Sequence, residues 1–579
     1  VGSGSGCYVT VAAALAVAGN GDTISIGPGT FAGGFTITKS VTVTGAGADK
    51  TVITGGGPVV TIGDATATTE PTVSISGVTI TGGVNDLTSR PGYYGGGVYV
   101  VLNPLFSLSA EPVVAITDSV IANNQVNLRQ GDACGRFPTV VCDRGGGIAN
   151  FGAITLVNTT VSDNRASWNA TPSAATDNEA AGGGIFNGGV GTLTLKSSTV
   201  TGNTVEFDVS TAGPTSDLAH GGGIANAGGS ATLENSTVSG NSVRFQTSVP
   251  LPDMFAGGGG IDTGLTVDIR SNRDKGGPLT ATGSTISGNN VVLTSTNTAP
   301  NQAIGAVGGG VHISDVATAT ITSSQISANT VAGTADGGFV GPGAGGVDDD
   351  GTLSLVNSKV TDNTATGTVT SSQTTAGSLS DAGGMEVDGS ATIKGTTFSG
   401  NKAVAAGTAA LYSPGTASTP PTGTIALGGA LAVDGGSTPP ATVKISGSTF
   451  TGNSSQATAT TGAALTGGGA IANSSALTLR ATSVTGNSSA ARGGSGSARG
   501  GGLWNSDPGG SPSSLTLWAS SIVHNSAAAS SGVSVQGQDL YTDSANGAKA
   551  RACKMVKKSV KGQTKKIKTV QSCRKLTSS

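Results

Sequence analysis

The chain has 579 residues, of which 96 are glycine, with 11% charged, 4% aromatic and a formal net charge of −3. Such values exclude a core built on large rings, and without internal order they would describe a disordered chain. The charge is uneven: residues 551–579 carry ten Lys or Arg and no acid, which leaves −13 for the remainder. What supplies order is repetition. The phrase Ser198-Thr-Val-Thr-Gly-Asn203 returns ending at Asn241 and Asn289, and looser copies end at Asn123, Asn164, Asn329, Asn363, Asn401, Asn453, Asn487 and Asn525. Most are 34 to 41 residues apart, a spacing that marks a solenoid.

Residues 1–63 read as an N-terminal cap and first coils. The Ala-rich stretch Val11–Ala18 predicts a short helix, too short to span a bilayer, laid over the strand edge of the first coil. Short strands follow around Phe35, Val41, Val52 and Val59. Val1 follows no signal-like stretch, as expected of a mature or trimmed chain.

Residues 64–530 predict the solenoid itself. In the copy from Gly145 to Asn164 the apolar residues alternate with period two: Ile154 and Leu156 point one way, Thr155 the other, and Val161 points inward between Thr160 and Ser162. Three short strands therefore fit in about twenty residues, and each matches the run one repeat later rather than a hairpin partner. The fold class is all-β, a parallel β-helix with three short strands per coil. Right-handed winding is expected, as in nearly all parallel crossovers. Gly-Gly-Gly before Ile148, Ile185 and Ile224 supplies a sharp turn. The repeated asparagines Asn164, Asn203, Asn241, Asn289, Asn329, Asn363, Asn401, Asn453 and Asn487 are expected to form an inward hydrogen-bonded ladder. Length varies between each Asn and the next Gly-rich turn, as in Val243–Ala256 and Lys402–Ala426, so these segments read as corner loops.

The Ala-rich segment, then Gly21-Asp-Thr-Ile24, Pro28-Gly-Thr-Phe31 and Val41-Thr-Val-Thr-Gly-Ala-Gly47, resembles the start of the pectin lyase-like right-handed β-helix superfamily. The later Gly-Gly-Gly-Ile and Ser-Thr-Val-Ser-Gly-Asn phrases are similar to a secreted bacterial branch that includes polymorphic outer-membrane proteins and adhesin-like proteins. The resemblance covers about residues 7–530 and implies fold more than activity, since that superfamily holds lyases, glycosidases, adhesins and scaffolds.

Within residues 64–144 an aromatic loop with Tyr93, Tyr94, Phe106 and Arg129 is either a sugar contact or a local mini-core. Further on, the first outward residues after successive turns include Asp262, His312, Asp348 and Glu386, which places ionisable groups of four coils on one face. Coils repeat at about 4.8 Å, so Asp348 and Glu386 are expected about 5 Å apart. These four are the candidate catalytic residues. The short separation suits a retaining glycosidase; alternatively the carboxylates hold Ca²⁺ while Arg270, Arg273 or Lys275 is the base of a uronate lyase. Asp348, Asp349, Asp350, Glu386, Asp388 and Asp434 are the candidate metal ligands. The plain reading is a solvated acidic stripe, neutralised by Lys359, Lys394 and Lys444. The segments Asn289–Gly308 and Asn401–Gly428 are long enough to wall a groove. A second outward row, Thr160 and Ser162, Thr199 and Thr201, Thr237 and Ser239, Thr285 and Ser287, resembles an ice-binding surface, although Gln325 and Lys359 interrupt it.

Residues 531–579 read as a Ser/Ala/Gly-rich fade-out and a basic tail. Cys134 with Cys142 and Cys553 with Cys573 are expected to form local disulfides, with Cys7 left over, in an oxidising extracellular or cell-surface setting. No zinc spacing occurs. The leading reading is a secreted structural or adhesive β-helix contacting a polysaccharide, a cell-surface component or other copies head to tail. No nucleic acid and no membrane span are expected, and no cofactor is required, with Ca²⁺ the one candidate. The alternatives are a lyase or glycosidase and an ice-binding solenoid.

Overall fold

The computed structural model describes all residues except 67–68, 87–93, 102–110, 129–139, 170–176, 211–216, 250–253, 265–275, 298–302, 371–376, 408–422, 436–439, 461, 507–512, 544–547, 560–566 and 577–579. Tyr93, Phe106, Arg129, Cys134, Arg270, Arg273 and Lys275 lie outside the described residues, as does the side chain of Cys142. The chain divides into two compact units, Val1–Gly333 and Thr334–Ser579, each a parallel β-solenoid.

In the first unit one coil runs Ile148–Asn150, Ala153–Val157, Thr160–Ser162, Arg165–Asn169 and Asp177–Ala181, and these define five columns of strands. Every column is parallel and in register: Ile148 pairs with Ile185, then Ile224, Ile261 and Val311. The three short strands read from the repeat are columns one to three. Columns four and five occupy the segments expected to be corner loops, a revision that also covers Asn289–Gly308, which contains the strands Asn290–Ser295 and Ala303–Val307. Ile154, Leu156 and Val161 fill the inner core, all within 1% of complete burial. Trp168, Phe207 and Phe245 of column four stack with ring centroids 4.6 and 5.0 Å apart.

The helix Val11–Val17 buries Val11, Ala14 and Leu15 against the first coil. Lys39 Nζ donates to the carbonyls of Leu15, Ala16 and Ala18 at 3.3, 3.3 and 2.6 Å, meeting the unpaired C-terminal carbonyls with a cation.

The second unit repeats the plan, with Val347, Met385, Leu431, Ile471, Leu503 and Leu540 in register in column one. Lys402–Gly407 and Gly423–Leu427, within the other expected groove wall, are again strands of columns four and five. Their facing alanines, Ala403, Ala405, Ala426, Ala457 and Ala464 among them, pack into one cluster. Alanine is small enough to bring two strand layers close together. The basic tail forms an antiparallel hairpin, Lys549–Ser559 with Ile567–Lys575, closed by the Cys553–Cys573 disulfide and paired in parallel to Ser514–Trp518. Cys7 is a free, exposed cysteine.

Two hydrogen-bond ladders hold the coils. In the first unit Asn124, Asn164, Asn203, Asn241, Asn289 and Asn329 are buried, the Nδ2 of each of the first five donating to the Oδ1 of the next asparagine at 2.9 to 3.0 Å. The residue before each takes the left-handed conformation, as Asn123, Asp163, Gly202 and Ala328 do. Asn123 therefore serves the turn and Asn124 the ladder. Gly147 cannot be replaced, since a Cβ there would meet Gly184 O at 2.7 Å and Asn164 Nδ2 at 2.8 Å. The second unit carries the same ladder through Asn363, Asn401, Asn453, Asn487 and Asn525. A hydroxyl ladder runs beside it: the main-chain N–H groups of Thr159, Ser198, Ser236 and Ser284 donate to the side-chain oxygens of Ser198, Ser236, Ser284 and Ser324 at 3.1 to 3.2 Å.

Candidate functional site: a buried ionic seam

Column five strands end at the Gly-rich turn and fold back over the outer side of column one. Ala149 and Phe186 of column one thereby meet Ala181 of column five, and in the second unit Ala472 and Trp504 meet Ile425, Leu427 and Leu465. Both sides of column one are thus covered. Four of the ionisable residues expected on a solvated outer stripe are instead buried, Asp262 at 0% exposure, His312 at 1%, Asp348 at 3% and Glu386 at 8%, whereas Asp350 and Asp388 are half-buried and Asp434 is exposed. The physical reason is the fifth column, whose alternation just before the turn, as in Ile425-Ala426-Leu427, buries both of its own faces.

In the first unit this seam holds a chain of charges. Arg144 Nη2 donates to Glu179 Oε2 at 2.5 Å, His220 Nε2 lies 3.2 Å from Glu179 Oε1, His220 Nδ1 lies 3.7 Å from Asp262 Oδ2, and His312 Nδ1 lies 3.1 Å from the same oxygen. Arg144 and His220 end column five strands and Glu179 lies in the middle of the strand Asp177–Ala181, whereas Asp262 and His312 pair in register in column one. Asp262 Oδ1 also accepts from the Gly264 N–H at 2.7 Å. Burial would push the Glu179 carboxyl up, but the Arg144 charge and then His220 outweigh it and hold it at about 2. Burial likewise works against a protonated His220, yet Asp262 and Glu179 on either side raise its pKa. Asp262 is lowered despite burial by His312 and His220. Arg144 caps the run over the Phe186 ring, 4.9 Å from its centroid, beside the packed rings of Tyr94, Tyr99 and Phe151. Signs alternate along the run. Arg144, Glu179 and His220 escape sequence reasoning because they fall in segments that read as loops.

In the second unit the seam is acidic. Asp348 and Glu386 pair in register in column one, with Asp381 before the next turn and Asp350, Asp388 and Asp434 following column one strands. Burial and then the charges of Asp381, Asp348, Asp388 and Asp434 push Glu386 well above the usual carboxylate range. Burial, then Asp434 and Asp388, does the same for Asp381, and Asp388 is raised to about 7 by burial, Asp434 and Asp350. Asp349 points to the opposite side of its strand and is fully buried. Lys359, Lys394 and Lys444, expected to neutralise these acids, are exposed on columns two and three.

The hydroxyl row of column three is in register in the first unit, Thr160 with Thr199, Thr237 and Thr285, and exposed Gln325 follows it. No helix among the described residues is long and apolar enough to cross a membrane.

No protein-family model matches the chain, so the resemblance to the pectin lyase-like superfamily gains no support from that comparison, and no curated protein matches either. Among solved structures, a mutant form of AlyGC, an alginate lyase of family PL6, is similar with a TM-score of 0.17 and 9% identity, over 90% of this chain and 98% of that one. A likeness this distant says nothing of activity.

Proposed function

We propose that this protein is a structural or adhesive β-solenoid of an extracellular or cell-surface setting, whose outer columns contact a polysaccharide, a cell-surface component or other copies. One observation carries the reading: the four candidate catalytic residues, Asp262, His312, Asp348 and Glu386, are all buried, away from where a polymer chain lies. A catalytic carboxylate must come within about 3 Å of the bond it acts on, and Asp262, at 0% exposure, is closed to such an approach. In the first unit, moreover, opposite charges alternate along the run. The disulfide Cys553–Cys573 is compatible with an oxidising compartment. Exposed or half-buried Thr and Ser on columns two and three, interspersed with charged residues such as Lys359, Lys394 and Lys444, offer hydrogen-bonding faces of the kind that bind extended surfaces.

The test is an activity panel beside a binding panel. Pectins, alginates and other acidic polysaccharides, with and without Ca²⁺, should yield neither reducing ends nor unsaturated uronides, while co-sedimentation with insoluble polysaccharide or purified cell wall should retain the protein. Product release abolished by Asp348→Asn or Glu386→Gln would replace this reading with an enzyme.

A further inference from the structure

We propose that the cleft between column two of the second unit and the basic hairpin binds the acidic sugar units of an anionic polysaccharide, with Trp518 as the platform and Arg480, Lys554 and Arg574 as the anion contacts. Resting on the polysaccharide contact read above, this site gives the polymer a charge and a place.

The cleft follows from strand lengths. Ser514–Trp518 has 5 residues and Lys549–Ser559 has 11, the two paired in register as far as Trp518 and Cys553. There the shorter strand ends in a left-handed turn at Ala519, φ 48°, whereas the hairpin strand runs on, stapled to its return strand by Cys553–Cys573. The space between them has a volume of about 710 Å³ and is lined by Arg480, Trp518, Lys554 and Arg574 among others.

Arg480 and Trp518 are neighbours in register, and Arg480, Lys554 and Arg574 are exposed. No acid lines the cleft, and among the described residues none of the three cations is in a salt bridge. The charge continues along the same face: Lys394, Lys444 and Arg551 are exposed there, and the column two strands from Thr352–Val356 to Lys549–Ser559 contain no Asp or Glu. Asp350 and Asp388 lie ahead of the opposite ends of two of these strands. In the first unit, by contrast, Lys196 of the same column is answered by Glu234 at 3.3 Å.

An indole offers its apolar face to the C–H side of a sugar ring, and a guanidinium meets a carboxylate or sulfate through charge-assisted hydrogen bonds. A neutral glycan leaves three cations unanswered, and a polyanion without rings leaves the indole unused. Nucleic acid also combines rings with charge, but the disulfide beside the cleft suits an oxidising compartment and favours a glycan.

Trp168 and Trp504 are 2% and 1% exposed while Trp518 is half-buried, so tryptophan emission reports this cleft directly. The full chain is titrated with an oligogalacturonate and with a heparin oligosaccharide, the carboxylate and sulfate forms of one chemistry. At least one should give a saturable change in emission that a neutral malto-oligosaccharide and single-stranded DNA do not. Trp518→Phe should abolish the change. Arg480→Ala should weaken binding by about tenfold while melting as wild type does, and it serves if Trp518→Phe does not fold. No response to either acidic oligomer, an equal response to the neutral oligomer or to DNA, or an affinity unchanged in Arg480→Ala overturns the proposal. Co-sedimentation of wild type and Arg480→Ala alike with polysaccharide or cell wall would then place the contact elsewhere and keep the broader reading, whereas no retention of wild type overturns both. Self-association by light scattering that Arg480→Ala abolishes, without a response to the acidic oligomers, assigns the cleft to a second copy instead.

Discussion

His220 lies between Glu179 and Asp262, and Arg144 closes the run on the other side of Glu179. Their linkage to pH has opposite signs. Glu179 is lowered from 4.5 to about 2, so its contribution is present above pH 4.5 and is lost as pH falls through 2. His220 is raised above 6.5, so its contribution is present below that value and is lost as pH rises through the folded pKa. Arg144→Ala strands Glu179 in the seam, and removing one partner of a buried pair costs about 3–5 kcal/mol. The gap between wild type and this variant, read from urea midpoints or hydrogen exchange in the Asp177–Ala181 strand, should be widest above pH 4.5 and should narrow toward pH 2. Sequence marked Asp262 and His312 as functional candidates by position alone, since a place after the Gly-rich turn is legible. Their burial was not legible, because what covers them is contributed by residues far away in the chain.

Among elements, the asparagine ladder was the most readable, because one residue type recurs at one place and only an amide both donates and accepts along a stack. Asn241 gives two hydrogen bonds to Asn289 Oδ1, from its main-chain N–H and its Nδ2, and one from Nδ2 to Val200 O. It also receives two from Asn203. Asn241→Ala should lower stability by about 2–4 kcal/mol by stranding buried groups. Asn241→Asp should be worse, since it keeps the acceptor, loses the donor and buries a charge. Melting curves of the two variants rank them, and equal effects would mean the side chain only fills space. The fourth and fifth columns were hidden for the opposite reason. Their lengths vary from coil to coil, and Ala-rich, Ser-rich alternation such as Lys402–Gly407 carries little apolar contrast, so a true strand pair reads as a polar insertion.

For the molecule as a whole, the parallel solenoid followed from periodicity and survives in both units. A parallel stack leaves an open strand edge at its first coil, and here the helix Val11–Val17 lies against the strands Thr23–Ser25 and Phe35–Ile37. Removing residues 1–20 should raise self-association above that of the full chain by light scattering, while circular dichroism keeps its β signature; a truncated protein that associates no more than the full chain would show that the helix is not an edge guard. Function was the least legible level, because the same ionisable residues mean a groove when exposed and a brace when covered, and only the covering strands decide which.

The side-chain amides also give the stack a direction. In each unit every ladder Nδ2–H points toward the later coil, so no single amide can turn round without setting oxygen against oxygen on one side and N–H against N–H on the other. Such a chain must open on a donor and close on an acceptor. The ladder of the first unit opens where the Gly83 main-chain N–H reaches Asn124 Oδ1 at 2.9 Å, and that of the second closes where Asn525 Nδ2 reaches Asp539 Oδ1 at 3.0 Å. The Asp539 side chain, unlike an amide, carries no N–H to pass the bond on. Asp539 is therefore a terminator, a stop sign written in hydrogen-bond polarity at the last rung.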